Sequence, residues 1–407
     1  CMIGNIVQVG GVRRAALISL SDLGSHDMRN AKSGQWYIDN KHRSMANNSA
    51  VYHTKPTADV FMDEWLALIR SYSGERGICN RQAMDNQAPQ RRQKGHAWGF
   101  NPCGEIQLRP YEFCNLSIAV ARPDDTETTL AKKVMVATYF GTMQATCTNF
   151  NYLREIWRKN CEEEALLGVD ITGHADCPLL HPSNPDRGAL LARLRKIAND
   201  TNEALTRRFG IARSAADTCI KPGGDSSVFF DCASGVSPRF ADRQIRWVRE
   251  SKNSPVAKFL IDQGVPHHDS PERPNDLYVF GFPKTAPDGC LTRNSMTAIE
   301  QLENWLCWKR NWAEHSVSAT IYVEPHEWFQ VGSWVYDHFD EITGLSFLPK
   351  DNGVYKHAPN EELTKEQYET FSKDFPAIDW SKLCQYEDDD QTETAQNYAC
   401  VAGSCEI

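Results

Sequence analysis

Asn101-Pro102-Cys103-Gly104-Glu105-Ile106, followed by Glu112-Phe113-Cys114-Asn115-Leu116, is the stretch on which the reading of this chain turns. A thiol and a carboxylate stand two residues apart, braced by Pro and Gly, so the spacing predicts a short rigid turn presenting both on one side. A second thiol, Cys114, precedes Leu116-Ser117-Ile118-Ala119-Val120, an alternating run with the period of a strand. On the residues alone two readings stand. One is structural: a turn with a buried Cys, in effect a small hydrophobe, and a surface Glu. The other is chemical: Cys103 to abstract hydrogen, Glu105 to take a proton and Cys114 to supply reducing equivalents, the parts that a radical reduction of a sugar needs.

The end of the chain carries a second thiol pattern. Cys400-Val401-Ala402-Gly403-Ser404-Cys405 follows the acidic run Tyr386-Glu387-Asp388-Asp389-Asp390. So little apolar surface cannot support a fold, so residues 385–407 are expected to form a flexible tether. A tethered dithiol has a raised effective concentration at a target disulfide and passes reducing equivalents through a mixed disulfide. A frayed tail, or half of a zinc site, is the competing reading. Zinc takes four ligands, and no second Cys pair of matching spacing is present, so no metal site is expected.

The remainder reads as an α/β chain. Helical spacing covers 59–71, 130–147, 187–209, 296–312 and 328–339, and strand patterns fall at 116–120, 167–173, 218–222, 316–323 and 344–349. Residues 80–98 read as a polar loop. Gly223-Gly224-Asp225-Ser226-Ser227 has the composition of a phosphate cradle, glycines letting amides approach an anion and serines adding donors; a plain turn is the alternative. Arg43-Ser44-Met45-Ala46-Asn47-Asn48-Ser49-Ala50 reads as a polar turn on composition alone.

The 407 residues are 41% hydrophobic and 24% charged, an ordinary globular balance. The net charge of −9 argues against direct nucleic-acid binding and leaves any nucleotide to a local positive field. No apolar run reaches the ~20 residues of a membrane span. Fourteen cysteines, spread along a long chain with no signal-peptide pattern, read as reduced thiols and imply a cytoplasmic location. The chain opens on Cys1, directly into Met2-Ile3-Gly4-Asn5-Ile6-Val7, which is the expectation for the back half of a longer, split or intein-flanked protein.

Asn-Pro-Cys-Gly-Glu-Ile with Glu-x-Cys-Asn-Leu resembles the finger loop of ribonucleotide reductases of the adenosylcobalamin-dependent class, and the gap from Cys103 to Cys114 is similar to that of the monomeric, triphosphate-reducing branch. Gly10 to Ala16, Arg43 to Ala50, Lys221 to Ser227 and Gly344 to Pro349 resemble further blocks of the family, and Cys400–Cys405 its C-terminal arm. No glycyl-radical or tyrosine-pair signature accompanies them. The resemblance implies Cys103 as the thiyl-radical residue, Glu105 as base on the substrate 3′-hydroxyl, Asn101 as a hydrogen-bond partner of the substrate hydroxyls, and Cys114 as half of a redox pair. It implies substrate contacts from Pro222, Gly223, Gly224, Ser226, Ser227, Asn48 and Ser49, with Asp225 departing from the family's small hydroxyl residue. The implied fold is the C-terminal part of a ten-stranded α/β barrel of two antiparallel half-barrels over 1–384, with a central finger loop near 101–106 and the tail beyond. The implied cofactor is adenosylcobalamin. The implied partners are a ribonucleoside triphosphate, a thioredoxin-like reductant and a second polypeptide with the N-terminal half. The alternative is a non-catalytic half of a split reductase.

Overall fold

The computed structural model describes residues 1–2, 16–271, 274–350 and 360–386, with the side chain of Asp225 left out. The Gly10–Arg14 block and the Cys400–Cys405 motif therefore lie outside the described residues.

Leu167–Thr172 explains why the molecule is layered. All six residues are buried, so both faces of this strand need cover, the usual condition of parallel strands flanked by helices. It pairs in parallel with Asn115–Val120 on one side. On its other side single bridges, Val169–Thr218 and Ile220–Val317, carry the array onward. A five-stranded sheet continues it: Thr320–Val323, Gly344–Pro349, Gly77–Asn80, Ala46–Tyr52 and Leu17–Asp22 in spatial order. Every neighbouring pair is parallel except Gly344–Pro349 with Gly77–Asn80, which run antiparallel. Two groups of parallel strands thus meet at one antiparallel seam. The expected barrel does not close among the described residues: the array stays open between Leu17–Asp22 and Asn115–Val120.

Helices cover the strands. Arg187–Phe209 buries Leu190, Leu191, Leu194 and Ala198, and ends where Gly210 takes a left-handed φ of +71°. Each fully buried leucine contributes roughly 1.5–3 kcal/mol. Ala298–Asn311 starts at a capping box in which Thr297 and Glu300 satisfy each other's backbone N–H. It brings Trp305 and Trp308 inside, with Trp312 just beyond. Two indole N–H groups double as struts: Trp305 donates to the Val317 carbonyl and Trp312 to that of Cys219, both at 2.8 Å.

Three departures from the sequence reading matter. Residues 81–87 form a helix, because Asn80 caps it by accepting the Ala83 N–H at 3.1 Å and Ala83 and Met84 are buried. Ala46–Tyr52 is a mostly buried central strand, not a polar turn; its Asn and Ser side chains are accommodated between neighbouring elements. Thr218 and Ile220 make only isolated bridges, so 218–222 is a minimal strand.

A second, antiparallel sheet was not foreseen as a separate unit. It has the order Asn360–Glu362, Arg243–Ser251, Leu277–Thr285, His267–Asp269. Its own core gathers Phe259, Leu260, Val265 and Phe280. Tyr386, at the start of the acidic run, packs against this core and donates its hydroxyl to Asp262 at 2.7 Å.

Gly168 shows how tightly the first sheet holds the cysteine loop. A Cβ there would meet Leu116 at 2.5 Å, Ile106 at 2.8 Å and the Cys114 Sγ at 3.3 Å. Gly168→Ala is expected to lower stability by roughly 1–3 kcal/mol, read from the urea midpoint. Gly24→Ala, with open space around it, is the control expected to be near neutral.

Candidate active site

Gly99–Phe100 and Gln107–Leu108 pair as an antiparallel hairpin, and Asn101 to Ile106 form its tip. The tip is closed from within. Asn101 O accepts the Gly104 N–H at 2.9 Å, its side-chain Oδ1 accepts the Ile106 N–H at 2.9 Å, and Gly104 takes φ +80°. A non-glycine residue is strained in that conformation. Asn101 is thus partly committed to shaping the loop.

The tip is also clamped from outside. Asn47 Nδ2 donates to the Pro102 carbonyl at 2.7 Å, and Ser318 Oγ to the Cys103 carbonyl at 2.5 Å. Ser316 N–H donates to the Glu105 carbonyl at 3.0 Å. Neither Asn47 nor Ser318 was singled out in the sequence, since an Asn and a Ser without a motif carry no signal.

The thiol and the carboxylate part company at Gly104. Cys103 is exposed, whereas Glu105 is 0% exposed. The structural reading of the sequence had this pair the other way round, and the shared side expected for the two groups is not observed. Burial pushes the Glu105 carboxyl above the usual carboxylate range, with the Asn101 amide and Lys221 opposing it. Neither carboxylate oxygen has hydrogen-bond geometry to a partner among the described residues. A buried carboxylate with no such partner marks Glu105 as a candidate functional group.

Cys114 lies behind the hairpin, half-buried and packed with Leu108, Leu166, Ala215 and Ala216. Burial raises its thiol well above the ordinary value, and the Glu105 carboxylate adds to this. Its neighbourhood is held by buried ion pairs: Arg92 bridges Glu164 at 2.7 Å and Glu112 at 3.5 Å, and Arg109 meets Glu112 at 3.1 Å. None of the described cysteines forms a disulfide.

A cavity of about 640 Å³ opens beside Cys103. Its wall includes Pro102, Cys103 and Gly104, the predicted Asn48, Ser49, Pro222, Gly224 and Ser227, and also Ser318 and Tyr322. Gly223 and Ser226 sit just behind that wall: a Cβ on Gly223 would come within 2.9 Å of the Ser226 Oγ. Gly223 starts a short helix, Gly224–Phe230, with no side chain capping it. Asn48 donates to the Met28 carbonyl at 2.7 Å while its buried Oδ1 has no partner among the described residues. The structure thus gathers the Cys103 loop, the 48–49 pair and the 222–227 turn around one space. Glu105 is buried on the same tip and Cys114 lies behind the hairpin; neither they nor Asn101 belong to that wall.

Asp170 escaped the sequence reading, although one acid inside the apolar run Leu167 to Thr172 was a usable signal. It is 0% exposed, accepts the Lys221 N–H at 3.0 Å through Oδ1, and leaves Oδ2 without a partner among the described residues. Burial, reinforced by Glu105, pushes it up to about 8. Among the described residues no group of His, Cys, Asp or Glu could hold a metal ion. No helix among them is long and apolar enough to cross a membrane.

The fold is that of a ribonucleotide reductase. A crystal structure of a B12-dependent (class II) ribonucleotide reductase matches with a TM-score of 0.75 at 19% identity, over 92% of this chain and 56% of that one. The alpha subunit of the Actinobacillus ureae class Id ribonucleotide reductase matches with a TM-score of 0.60 at 13% identity, over 83% and 72%. Within that class the chain is a homologue of the adenosylcobalamin-dependent ribonucleoside-triphosphate reductases. That of Euglena gracilis is 28% identical over 382 residues, covering 90% of this chain and 50% of the relative. That of Lactobacillus gasseri is 24% identical over 409 residues, covering 90% and 53%. The chain spans about half the length of the curated relatives it matches. No protein-family model matches it.

Asp170 generates a pH prediction. A carboxyl raised in the folded state contributes stability that is complete below its unfolded pKa and is lost as pH rises through the folded value, here about 8. Stability read from urea unfolding should therefore fall between about pH 4 and pH 8, by up to about 1.4 kcal/mol per pH unit from this group, and level off above pH 8. Asp170→Asn should flatten that fall; an unchanged slope would show that Asp170 is not the group responsible.

Proposed function

We propose that this chain carries the reaction centre of an adenosylcobalamin-dependent reductase that converts ribonucleoside triphosphates to 2′-deoxyribonucleotides for DNA synthesis. The observation that carries this reading is an exposed Cys103 at the edge of a cavity, two residues from a fully buried, unsatisfied Glu105 on one clamped hairpin tip. Cys103, as a thiyl radical, takes the hydrogen atom of the ribose 3′-carbon and later returns it. Glu105, as carboxylate, accepts the 3′-hydroxyl proton, and Asn101 orients the hydroxyls through its remaining amide N–H groups. The 2′-hydroxyl leaves as water, while Cys114 and a second thiol give up two electrons and two protons and end as a disulfide. The tail thiols Cys400 and Cys405 reopen that disulfide by exchange and are themselves reduced by a thioredoxin-like protein. Asn48, Ser49 and the Pro222, Gly223, Gly224, Ser226, Ser227 turn hold the substrate, its inner phosphates against the start of the Gly224–Phe230 helix.

The residues present fit the cofactor that the relatives' names carry. Cys103 is open to the cavity, while Asn47 and Ser318 hold the backbone on either side of its sulfur, so a large group can approach without displacing the loop. Asn47, Pro102 and Ser318 are the residues that would face it. When bound, adenosylcobalamin supplies the radical through its cobalt–carbon bond.

A second reading rests on the chain's spanning about half of its relatives' length: these residues act only with the remaining half, supplied by the same or a second polypeptide. In that reading the remainder closes the open arc between Leu17–Asp22 and Asn115–Val120 into the ten-stranded barrel. A cytoplasmic location, where thiols stay reduced, suits this chemistry.

The test is Cys103→Ser in the chain reconstituted with a polypeptide carrying the remaining half. Nucleotide reduction should disappear with the urea midpoint unchanged, and reduction at a comparable rate would refute the assignment. Glu105→Gln should slow reduction on the order of 10²–10⁴-fold. Because burial raises Glu105, the wild-type rate should climb with pH above the ordinary glutamate range, a limb that Glu105→Gln removes. Deleting 387–407 should spare one turnover and block repeated turnover driven by a protein reductant, with partial rescue by a small dithiol.

A further inference from the structure

The cavity beside Cys103 has a second wall that the reductive chemistry does not use. The antiparallel sheet builds it: Arg246 stands on Arg243–Ser251, Lys284 on Leu277–Thr285, and Arg293 in the segment that follows, all lining the same space as Ser227. In a chain of net charge −9, Arg293 and Lys284 bring two cationic side chains to this wall, each beside one carboxylate.

Arg293 is the fixed member. Its guanidinium lies 3.6 Å from the centre of the Phe240 ring, and Nη2 donates to Glu362 at 3.0 Å. Its buried Nε has no acceptor among the described residues. A guanidinium held by stacking and one carboxylate, with a buried N–H still unsatisfied, is a preorganised half of a bidentate anion contact. Lys284 pairs with Asp231 at 3.1 Å, but Asp231 is 61% exposed, so an incoming anion competes easily for the ammonium. Arg239 is different: its guanidinium is taken up by Asp176 at 2.7 and 2.8 Å.

We infer that Arg293, with Lys284, forms a subsite for the outermost phosphate of a nucleoside triphosphate whose inner phosphates lie at the Pro222–Ser227 turn. The inference rests on the reading of this cavity as the substrate site and adds what distinguishes a triphosphate from a diphosphate. A diphosphate satisfies the turn and leaves the Arg293 N–H unpaired. The third phosphate brings the additional charge and acceptors that this wall lacks.

The experiment is calorimetric titration of the full chain with ATP and with ADP, then with inorganic tripolyphosphate and pyrophosphate to isolate the phosphate contribution. ATP should bind about 10-fold or more tighter than ADP, the scale of one charge-assisted contact. Arg293→Gln and Lys284→Gln should each reduce that ratio while leaving ADP binding and the thermal midpoint in place, and Arg293→Lys should keep part of it. An unchanged ratio in both glutamine variants overturns the inference. So does equal weakening of ATP and ADP, or a loss confined to adenosylcobalamin binding, which would make this the cofactor's wall. If neither nucleotide binds, both the subsite and the substrate-site reading fall. If Cys103→Ser abolishes reduction while Arg293→Gln leaves the ratio intact, only the subsite falls.

Discussion

The segment from His315 to Ser318 is the constraint on which the site depends. It lies beside the hairpin tip and fixes it through backbone and side-chain contacts: Ser316 N–H to the Glu105 carbonyl and Ser318 Oγ to the Cys103 carbonyl. The His315 carbonyl accepts Gln107 Nε2 at 3.1 Å and the buried Lys309 Nζ at 2.5 Å. The segment is itself anchored on both flanks. Ser318 N–H donates to the Ile220 carbonyl and His315 Nε2 lies 2.9 Å from the Leu167 carbonyl, while Ser316 Oγ meets Thr343 Oγ1 at 2.8 Å. A loop tip would ordinarily be among the more mobile parts of a protein. Here its carbonyls are tied to strands in the middle of the molecule, so the position of the Cys103 sulfur is inherited from the core.

Burial then sorts the chemistry. Glu105, Asp170 and Cys114 all sit where a charge is costly, and each is displaced toward its neutral form. Cys103, two residues from Glu105, remains at the surface of a cavity because the left-handed Gly104 turns the chain between them. The arrangement separates an exposed sulfur from a buried carboxylate.

The two sheets divide the work. The mixed-direction array supplies the hairpin clamp, the 48–49 pair and the 222–227 turn to one cavity. The smaller sheet has its own apolar core and contributes cations to the same cavity. Its strands Arg243–Ser251 and Leu277–Thr285 pair over nine residues each, a long ladder that gives Arg246 and Lys284 firm backbones.

Much of this was legible in the residues. Helix 187–209 and strand 344–349 have the bounds that periodicity, Gly210 and Pro349 indicate, because local pattern and burial agree there. The Cys103 turn and Cys114 stood out through their resemblance to the finger loop of the family, since spacing alone left a structural reading open. Other features were not legible because they depend on residues far apart in the chain. The helix at 81–87 has an apolar face only against distant partners such as Val51, Trp98 and Phe100, which pack with Met84. The polar Asn47-Asn48-Ser49 run is a strand because its neighbours on both sides are strands. Above all, nothing local to Cys103 and Glu105 says which of the two is buried. Sequence by itself determined the α/β class, the long amphipathic helices and the candidate reactive groups. Only the tertiary structure decided that the thiol faces the cavity, that the acid lies behind it beside Asp170, and that Arg293 and Lys284 come to the same space, because burial and electrostatic environment are properties of the assembled neighbours rather than of the chain.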